Sequence, residues 1–358
     1  MSITSERMVV GAGRTPVEVF TLTCAAGLTA RIMTCGATLM SLAAPDRRGA
    51  LTDVLLGFER VESYLEPHPY FGSLIGRYAN RIAWGRFTLD GQVYSLPCND
   101  GPHHLHGGPA GFHRALWRPE PADGPAGPEL TLRYLSPDGE GGYPGALTVV
   151  VRYTLSDSGA LRIDYEAETD RPTIVNLTSH PYFNLAGGGD VLGHELFLAA
   201  DAFLPVDETL IPTGELRSVA GTPMDFTSPM PIGARLGADE AQLRQAGGGY
   251  DHCYVLRSRG DLAALSARLV EPLSGRALEV YTTRPGLQLY TGNALDGSLR
   301  GKGGQRYGRH AGVCLEAQHF PDAPNRPHFP SPVLRPGERY RHTTVYRLGV
   351  VDAENRAR

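Results

Sequence analysis

The sequence predicts an all-β protein, a large antiparallel β-sandwich with few short helices. Strand-like runs recur from end to end, turn signals separate them, and helical patterns are scarce. A regular alternation of strands and helices would instead indicate a parallel α/β sheet. The scarcity of helices therefore favours antiparallel strands.

The elements follow in chain order. Predicted strands cover residues 30–32, 86–89, 130–134, 147–155, 161–167, 196–199 and 342–348. Turn signals between strands include Asp90-Gly91, Asn99-Asp100-Gly101, Pro137-Asp138-Gly139 and Asp157-Ser158-Gly159. Residues 58–65 and 239–246 have the best helical patterns. The Pro- and Gly-rich residues 121–128 are interpreted as a surface loop.

Composition limits the partners and the compartment. The 358 residues carry a formal charge of −4 without a basic run, so neither nucleic acid nor an anionic membrane is indicated as a partner. Five cysteines are an odd number without paired spacing, which favours a reducing compartment. No apolar stretch approaches the roughly 18 residues of a membrane span, and no signal-like segment opens the chain. We expect a cytoplasmic protein.

Residues 175–187, VNLTSHPYFNLAG, have two chemically different faces if they form a strand. One face carries the apolar residues Val175, Leu177, Phe183 and Leu185. The other carries Asn176, Thr178, His180, Tyr182 and Asn184, which are hydrogen-bonding groups rather than the Lys or Glu of a solvated face. Such a face suits a polyhydroxylated ligand. Pro181 pushes His180 toward extended geometry.

Residues 313–320, VCLEAQHF, place one charge, Glu316, in a strand that otherwise has a buried pattern. A carboxylate in that position is either a candidate general base or one half of a structural ion pair. Residues 285–293 repeat the design, with Gln288 and Tyr290 on one face and leucines on the other. Three strands thus share one design.

Further polar candidates lie in loops. Asn80-Arg81 belongs to an arginine-rich stretch, 72–87, that either grips hydroxyls or decorates a turn. Asp251 follows a glycine run and is either a turn cap or an acceptor for sugar hydroxyls. A histidine-rich segment holds His103, His104 and His106, and His113 follows it. They lack a Cys or carboxylate at a familiar metal-binding spacing, so no metal is predicted, and one of the rings could instead face a ligand.

Other catalytic chemistries find little support. No phosphate-binding or dinucleotide-binding glycine loop occurs in a strand-to-helix context, and no serine lies in a nucleophile elbow. Cys314 has no adjacent basic residue to lower its pKa. Acid–base chemistry without a cofactor remains.

Six motifs in collinear order resemble the aldose 1-epimerases, or galactose mutarotases. They are GRYANRI (76–82), HLHGG (104–108), NLTSHPYFNLAG (176–187), GYDHCYVL (249–256), PGLQLYTGN (285–293) and CLEAQHFPDAPNRPHFP (314–330). DVLLGF (53–58) and LRPGERYRHTTVYRL (334–348) extend the match over nearly the whole chain.

The resemblance implies a single domain over residues 1–358 with an open cleft for one sugar. It maps the general acid onto His180 and the general base onto Glu316, which would interconvert the anomers of a free aldose. Sugar-binding roles map onto Asn80, Arg81, His106, Tyr182, Asp251 and Gln288. A small-molecule aldose is the expected partner, and the chain would act as a monomer or homodimer with no cofactor and no metal.

Three rival functions are considered. A non-catalytic sugar-binding protein on the same scaffold would not need both His180 and Glu316. A glycoside hydrolase would require two carboxylates, which Glu316 and Asp251 could formally supply. A hexose-6-phosphate epimerase should show a basic cluster, for which Arg77, Arg81 and Arg86 are a weak candidate.

Overall fold

The computed structural model describes residues 2–11 and 15–351, and this part of the chain is built mainly from strands. In chain order they are β1 (Ser2–Val10), β2 (Thr15–Thr23), β3 (Thr29–Met33), β4 (Thr38–Pro45), β5 (Leu51–Asp53), β6 (Leu74–Ile75), β7 (Arg81–Ile82), β8 (Arg86–Leu89), β9 (Gln92–Ser95), β10 (His104–Leu105), β11 (Arg118–Gly124), β12 (Gly127–Ser136), β13 (Leu147–Leu155), β14 (Ala160–Thr169), β15 (Thr173–Ile174), β16 (Thr178–Ser179), β17 (Tyr182–Phe183), β18 (Glu195–Leu198), β19 (Ala200–Phe203), β20 (Arg217–Ser218), β21 (Met230–Pro231), β22 (Asp251–Leu256), β23 (Ala267–Val270), β24 (Arg276–Thr282), β25 (Gly286–Tyr290), β26 (Val313–Gln318), β27 (Val333–Leu334) and β28 (Tyr340–Val350). The α-helix is α1 (Ala241–Gln245), and short 3-10 turns span Val61–Tyr64, Ala83–Gly85, Phe112–Arg114, Glu140–Gly142, Ile232–Arg235, Lys302–Gly304 and Ala323–Asn325. None of the described helices is long and apolar enough to cross a membrane.

Three antiparallel sheets dominate the fold. The largest has nine strands in the order β11-β12-β13-β14-β28-β24-β23-β18-β21, and the second has six in the order β17-β26-β25-β22-β19-β20. The third is the five-stranded meander β1-β2-β3-β4-β5. The predicted all-β class is confirmed.

The six-stranded sheet packs one face against the nine-stranded sheet. Leu287 and Leu315 of the former share one core cluster with Ile163 and Val280 of the latter. The hydroxyl of Tyr346 on β28 donates to the Leu315 carbonyl at 3.0 Å. Alternation along β22, β25 and β26 then leaves their other side chains on the opposite face, where a site can form.

Most of the predicted strands are confirmed. Residues 86–89 and 147–155 match β8 and β13, and residues 30–32, 130–134, 161–167 and 342–348 lie inside longer strands. The strand predicted at 196–199 runs over Glu195–Leu198 instead. The helix predicted at 239–246 contains α1, but 58–65 holds only the 3-10 turn Val61–Tyr64, so that helix prediction is wrong.

The loop interpretation of residues 121–128 is also wrong. Residues 121–124 end β11, β12 begins at Gly127, and the two strands form a hairpin in which Pro121 lies opposite Leu130. Because β11 is an edge strand of the nine-stranded sheet, its prolines need not donate to a second neighbour. Proline was therefore compatible with a strand here.

Residues 175–187 do not form one continuous strand. Thr178–Ser179 pairs with Leu74–Ile75, whereas Tyr182–Phe183 pairs with Val313–Cys314 in a different sheet. The break falls at His180-Pro181, where the His180 N–H donates to the Ser73 carbonyl and Pro181 has no N–H to give. The alternation nevertheless persists, because Val175, Leu177, Phe183 and Leu185 all enter the core.

Candidate active site

The polar face of the six-stranded sheet brings the three predicted strands together. Glu316 on β26 lies directly opposite Gln288 on β25, and Cys314 lies between Tyr182 on β17 and Tyr290 on β25. Tyr290 is in turn opposite Asp251 on β22. Residues separated by more than a hundred positions therefore form two adjacent cross-strand rows.

A cavity of about 410 Å³ opens on this face. Seven of the eight predicted site residues line it: Asn80, Arg81, His106, His180, Tyr182, Asp251 and Glu316. The eighth, Gln288, is not among the lining residues. A larger cavity of about 510 Å³ lies elsewhere, against Phe320 and Phe329, and holds none of the eight. The convergence of polar groups, rather than volume, identifies the smaller cavity as the candidate site.

His180 and Glu316 form a buried pair that lines this cavity. The distance from His180 Nε2 to Glu316 Oε1 is 3.5 Å, and the side chains are 5% and 2% exposed. Burial lowers the pKa of His180 to about 4. Burial, followed by the charge of Asp251, raises the pKa of Glu316 well above its usual range, and Arg81 opposes this shift. Both groups are thus pushed toward their neutral forms in the free protein.

Asn80 and His106 hold each other in place. Both have left-handed backbone conformations, with φ of 64° and 53°. The Asn80 N–H donates to His106 Nδ1 at 3.2 Å, and the His106 N–H donates to the Asn80 carbonyl at 3.1 Å. Because Nδ1 is an acceptor, the proton of the neutral His106 ring is on Nε2. Burial and the charges of His180 and Arg81 keep the pKa of His106 well below 6.5.

Arg81 lies between two carboxylates. Its Nε donates to Asp100 Oδ2 at 2.7 Å, and its Nη1 lies 3.8 Å from Asp251 Oδ2. The amide nitrogen of Gln288 donates to the other Asp251 oxygen at 2.6 Å. Burial raises the pKa of Asp251 despite the Arg81 charge. Gln288 therefore orients the Asp251 carboxylate without lining the cavity itself.

Two tyrosine rings lie nearly parallel to the histidine ring. Tyr182 stacks on the His180 ring with centroids 5.1 Å apart, and Tyr70 lies nearly parallel to it at 6.0 Å. Tyr70 also lines the cavity and packs at 4.8 Å from the His106 ring. Sequence reasoning missed Tyr70 and the role of Asp100. Neither lies in a polar strand face, so no local pattern marked them.

Other polar residues of the motifs have structural roles. Asn176 donates to the Ala79 carbonyl, Thr178 to the Ala317 carbonyl and Asn184 to the Ala311 carbonyl. These three tie the strands of the site together and do not line its cavity. In the histidine-rich segment, His104 bonds the Pro97 carbonyl and the Tyr143 hydroxyl, both at 2.7 Å. His103 accepts from the Trp84 N–H.

Three potential metal ligands meet beside the cavity rather than in the histidine-rich segment. His180, Cys314 and Glu316 each offer one ligand atom, and these atoms lie within 4.8 Å of one another. Cys314 is fully buried and does not line the cavity. Its sulfur lies 3.5 Å from His180 Nδ1, on the ring nitrogen that does not face Glu316.

The chain resembles known proteins over nearly its whole length. The aldose 1-epimerase family model matches residues 18–347. Galactose mutarotase from Bos taurus is 50% identical over 321 residues, which cover 89% of this chain and 90% of that protein. Aldose 1-epimerase from Escherichia coli is 40% identical over 336 residues, covering 93% and 95%.

Solved structures show the same architecture. The crystal structure of galactose 1-epimerase from Lactobacillus acidophilus superposes with a TM-score of 0.86 at 28% identity, covering 98% of this chain and 100% of that one. An aldose epimerase homologue from C. elegans gives a TM-score of 0.85 at 32% identity, with the same coverage.

The chain belongs to the aldose 1-epimerase family. Both the sequence match and the fold support this assignment across the segments that build the cavity. The protein is accordingly an isomerase that interconverts the anomers of aldoses.

Proposed function

We propose that the protein interconverts the α and β anomers of free glucose- or galactose-type aldoses, with Glu316 as general base and His180 as general acid. The observation that carries the assignment is the buried pair itself, with His180 Nε2 and Glu316 Oε1 3.5 Å apart in a polar cavity. Such a pair can exchange protons with two neighbouring oxygens of one sugar.

The reaction needs two proton transfers. Glu316 takes the proton of the C1 hydroxyl, the bond between C1 and the ring oxygen breaks, and His180 Nε2 protonates that oxygen. The open-chain aldehyde turns about C1–C2 and recloses on its other face while both transfers run backwards. Atoms and electrons balance without an external reactant, and each group can contribute about 10²- to 10⁴-fold.

Substrate binding supplies what the buried pair lacks. The Glu316 Oε2 atom is buried without a hydrogen-bond partner in the described part of the chain. A C1 hydroxyl can donate to this carboxylate, and the ring oxygen can accept from protonated His180. These bonds favour the ionised pair over the neutral one, against the burial that lowers the pKa of His180 and raises that of Glu316.

The remaining residues orient the sugar. Arg81, Asp251, Asn80 and Tyr182 offer donors or acceptors along the cavity. His106 presents an Nε2–H donor, because its Nδ1 accepts from Asn80. Gln288 acts through Asp251.

An unphosphorylated sugar fits this charge distribution. Arg77 is buried and donates to Ser136 Oγ and to the carbonyls of Ser136, Pro137, Pro144 and Gly145, so it has no donor free for a phosphate. Arg86 is exposed and does not line the cavity. Arg81 is already paired with Asp100. This arrangement counts against a hexose-6-phosphate substrate.

Polarimetry of freshly dissolved α-D-glucose and α-D-galactose tests the base. Glu316→Gln should lose at least about a hundredfold in kcat, because the amide cannot take a proton. Glu271→Gln is the matched control, since Glu271 is also buried but its carboxylate accepts from the Leu273 and Ser274 N–H groups. Near wild-type acceleration by Glu316→Gln would contradict the assignment.

A chromogenic glycoside tests the rival glycoside hydrolase function, and the protein should release no aldose from it.

His180→Asn tests the acid. This variant should bind the sugar with little change by calorimetry and lose at least about a hundredfold in kcat. A loss confined to KM would instead make His180 a binding residue.

A further inference from the structure

Cys314 is a buried thiol to which the reaction above gives no role. It lies on β26 two residues before Glu316, so both side chains are on the polar face of the sheet. Its Sγ is 3.5 Å from His180 Nδ1, while Nε2 of the same ring is 3.5 Å from Glu316 Oε1. The two ring nitrogens therefore have different partners.

A cysteine thiol keeps its proton at neutral pH even without burial. Burial, followed by the charges of Glu316 and Asp251, raises the pKa of Cys314 well above its usual range. A neutral thiol can accept a weak hydrogen bond from Nδ1–H while its own hydrogen points elsewhere. With the sulfur as acceptor, this contact favours a proton on Nδ1 in both the charged and the neutral ring, whereas a thiol that donated to Nδ1 would favour the Nε2–H tautomer.

Apart from the His180 backbone carbonyl, the groups around the ring do not compete for Nδ1. Glu316 faces Nε2, Tyr70 and Tyr182 lie nearly parallel to the ring, and His106 approaches edge-on at 5.2 Å. The His180 backbone carbonyl accepts from Nδ1–H and so acts in the same direction as the sulfur, whereas the charge of His68 opposes protonation of the ring.

We propose that Cys314 is a positioning residue that holds the proton on His180 Nδ1, so that Nε2 is the atom that exchanges a proton with the sugar. The inference rests on the proposed acid role of His180. When Nε2 gives its proton to the ring oxygen, the neutral ring is left as the Nδ1–H tautomer, which the sulfur already accommodates. Ring reclosure then returns the proton to the same nitrogen.

Nuclear magnetic resonance of ¹⁵N-histidine-labelled protein tests the tautomer without reference to activity. His180→Asn identifies the His180 signals. At pH 7 the wild type should show the Nδ1–H tautomer, Cys314→Ser should retain it because a hydroxyl also accepts, and Cys314→Ala should shift toward Nε2–H. A wild-type Nε2–H tautomer, or an unchanged tautomer in Cys314→Ala, would overturn the proposal.

Kinetics give the second readout. Cys314→Ala should lower kcat roughly three- to tenfold, the range expected for one hydrogen bond, with KM within about twofold. Cys314→Ser should stay close to the wild type. Cys253→Ala is the matched control, because Cys253 is also buried on the same sheet face but its sulfur bonds the Tyr254 carbonyl rather than the His180 ring. Equal losses in all three variants would mean that these thiols only fill space. If the wild type lacks mutarotation, the proposed function fails and the tautomer result still stands.

Discussion

At the scale of single residues, two histidines in one cavity are held in different ways. The His106 Nδ1 accepts from a backbone N–H, which fixes its proton on Nε2 as a neutral donor. His180 has a sulfur at Nδ1 and a carboxyl near Nε2, so its Nε2 proton can move. The hydrogen-bond partners of each ring, and not the residue type, therefore decide whether a histidine is a fixed donor or a proton carrier.

The pH profile follows from the His180–Glu316 pair as a unit. In its active state the His180–Glu316 pair shares one exchangeable proton, in addition to the proton on His180 Nδ1. It gains another as pH falls through the lowered pKa of His180, about 4, and loses its own as pH rises through the raised pKa of Glu316. We expect a bell whose acid limb lies below the ordinary histidine value of about 6.5. The ordinary pKa values of the two groups would instead put glutamate on the acid limb and histidine on the alkaline limb.

Polarimetric kcat/KM between pH 4 and 10, corrected for spontaneous mutarotation, measures the profile. Circular dichroism at each pH separates titration from unfolding. An alkaline limb near 6.5 in folded protein would mean that His180 titrates as an exposed histidine does, contrary to its burial.

At the scale of elements, one buried arginine connects the strands of the site to a distant loop. Arg77 precedes Asn80 by three residues, and its guanidinium donates to four backbone carbonyls between residues 136 and 145. Arg77→Met should lower the free energy of unfolding by about 3–5 kcal/mol, because it leaves these carbonyls unpaired. Urea denaturation followed by fluorescence measures the change.

The matched control is Arg86→Met, nine residues further along. Arg86 is exposed, so its replacement should change the free energy of unfolding by less than about 0.5 kcal/mol. Comparable effects of the two substitutions would contradict the structural role of Arg77.

Sequence patterns predicted what depends on local periodicity. Alternation placed Glu316, Gln288 and Tyr182 each on the polar face of its own strand, because side chains on a strand repeat every two residues. It could not distinguish Arg77 from Arg81 in one motif, since the difference lies in partners outside that motif, the Gly145 carbonyl for Arg77 and Asp100 for Arg81. The break at His180 also depends on distant partners, Ser73 and Cys314.

Two residues of the site lie outside any alternating strand pattern, so the sequence did not predict their roles. Tyr70 reaches the cavity from a loop with a left-handed backbone, and Asp100 supports Arg81 from a turn. The turn signal Asn99-Asp100-Gly101 already accounted for Asp100 in the sequence, so nothing indicated that it also pairs with Arg81. The family resemblance supplied the His180 and Glu316 assignments that local patterns left open.

At the scale of the whole molecule, buried histidines make stability depend on pH. Nine of the twelve histidines have pKa values lowered mainly by burial, and they are His68, His104, His106, His113, His180, His194, His252, His319 and His342. Each stays neutral in the folded protein while it protonates near pH 6.5 in the unfolded chain. The unfolded state therefore binds more protons below that pH.

The free energy of unfolding should consequently fall as pH drops from about 6.5 toward 4, by up to about 1.4 kcal/mol per pH unit for each such histidine. The raised pKa values of Glu316, Asp251 and Asp322 act in the opposite direction, but these groups are fewer. Urea titrations at pH 7, 6 and 5 give the slope. His194 lies outside the cavity and burial lowers its pKa to about 4, so His194→Gln should remove about one proton from the uptake on unfolding. A free energy that is constant from pH 7 to 5 would mean that these histidines are solvated.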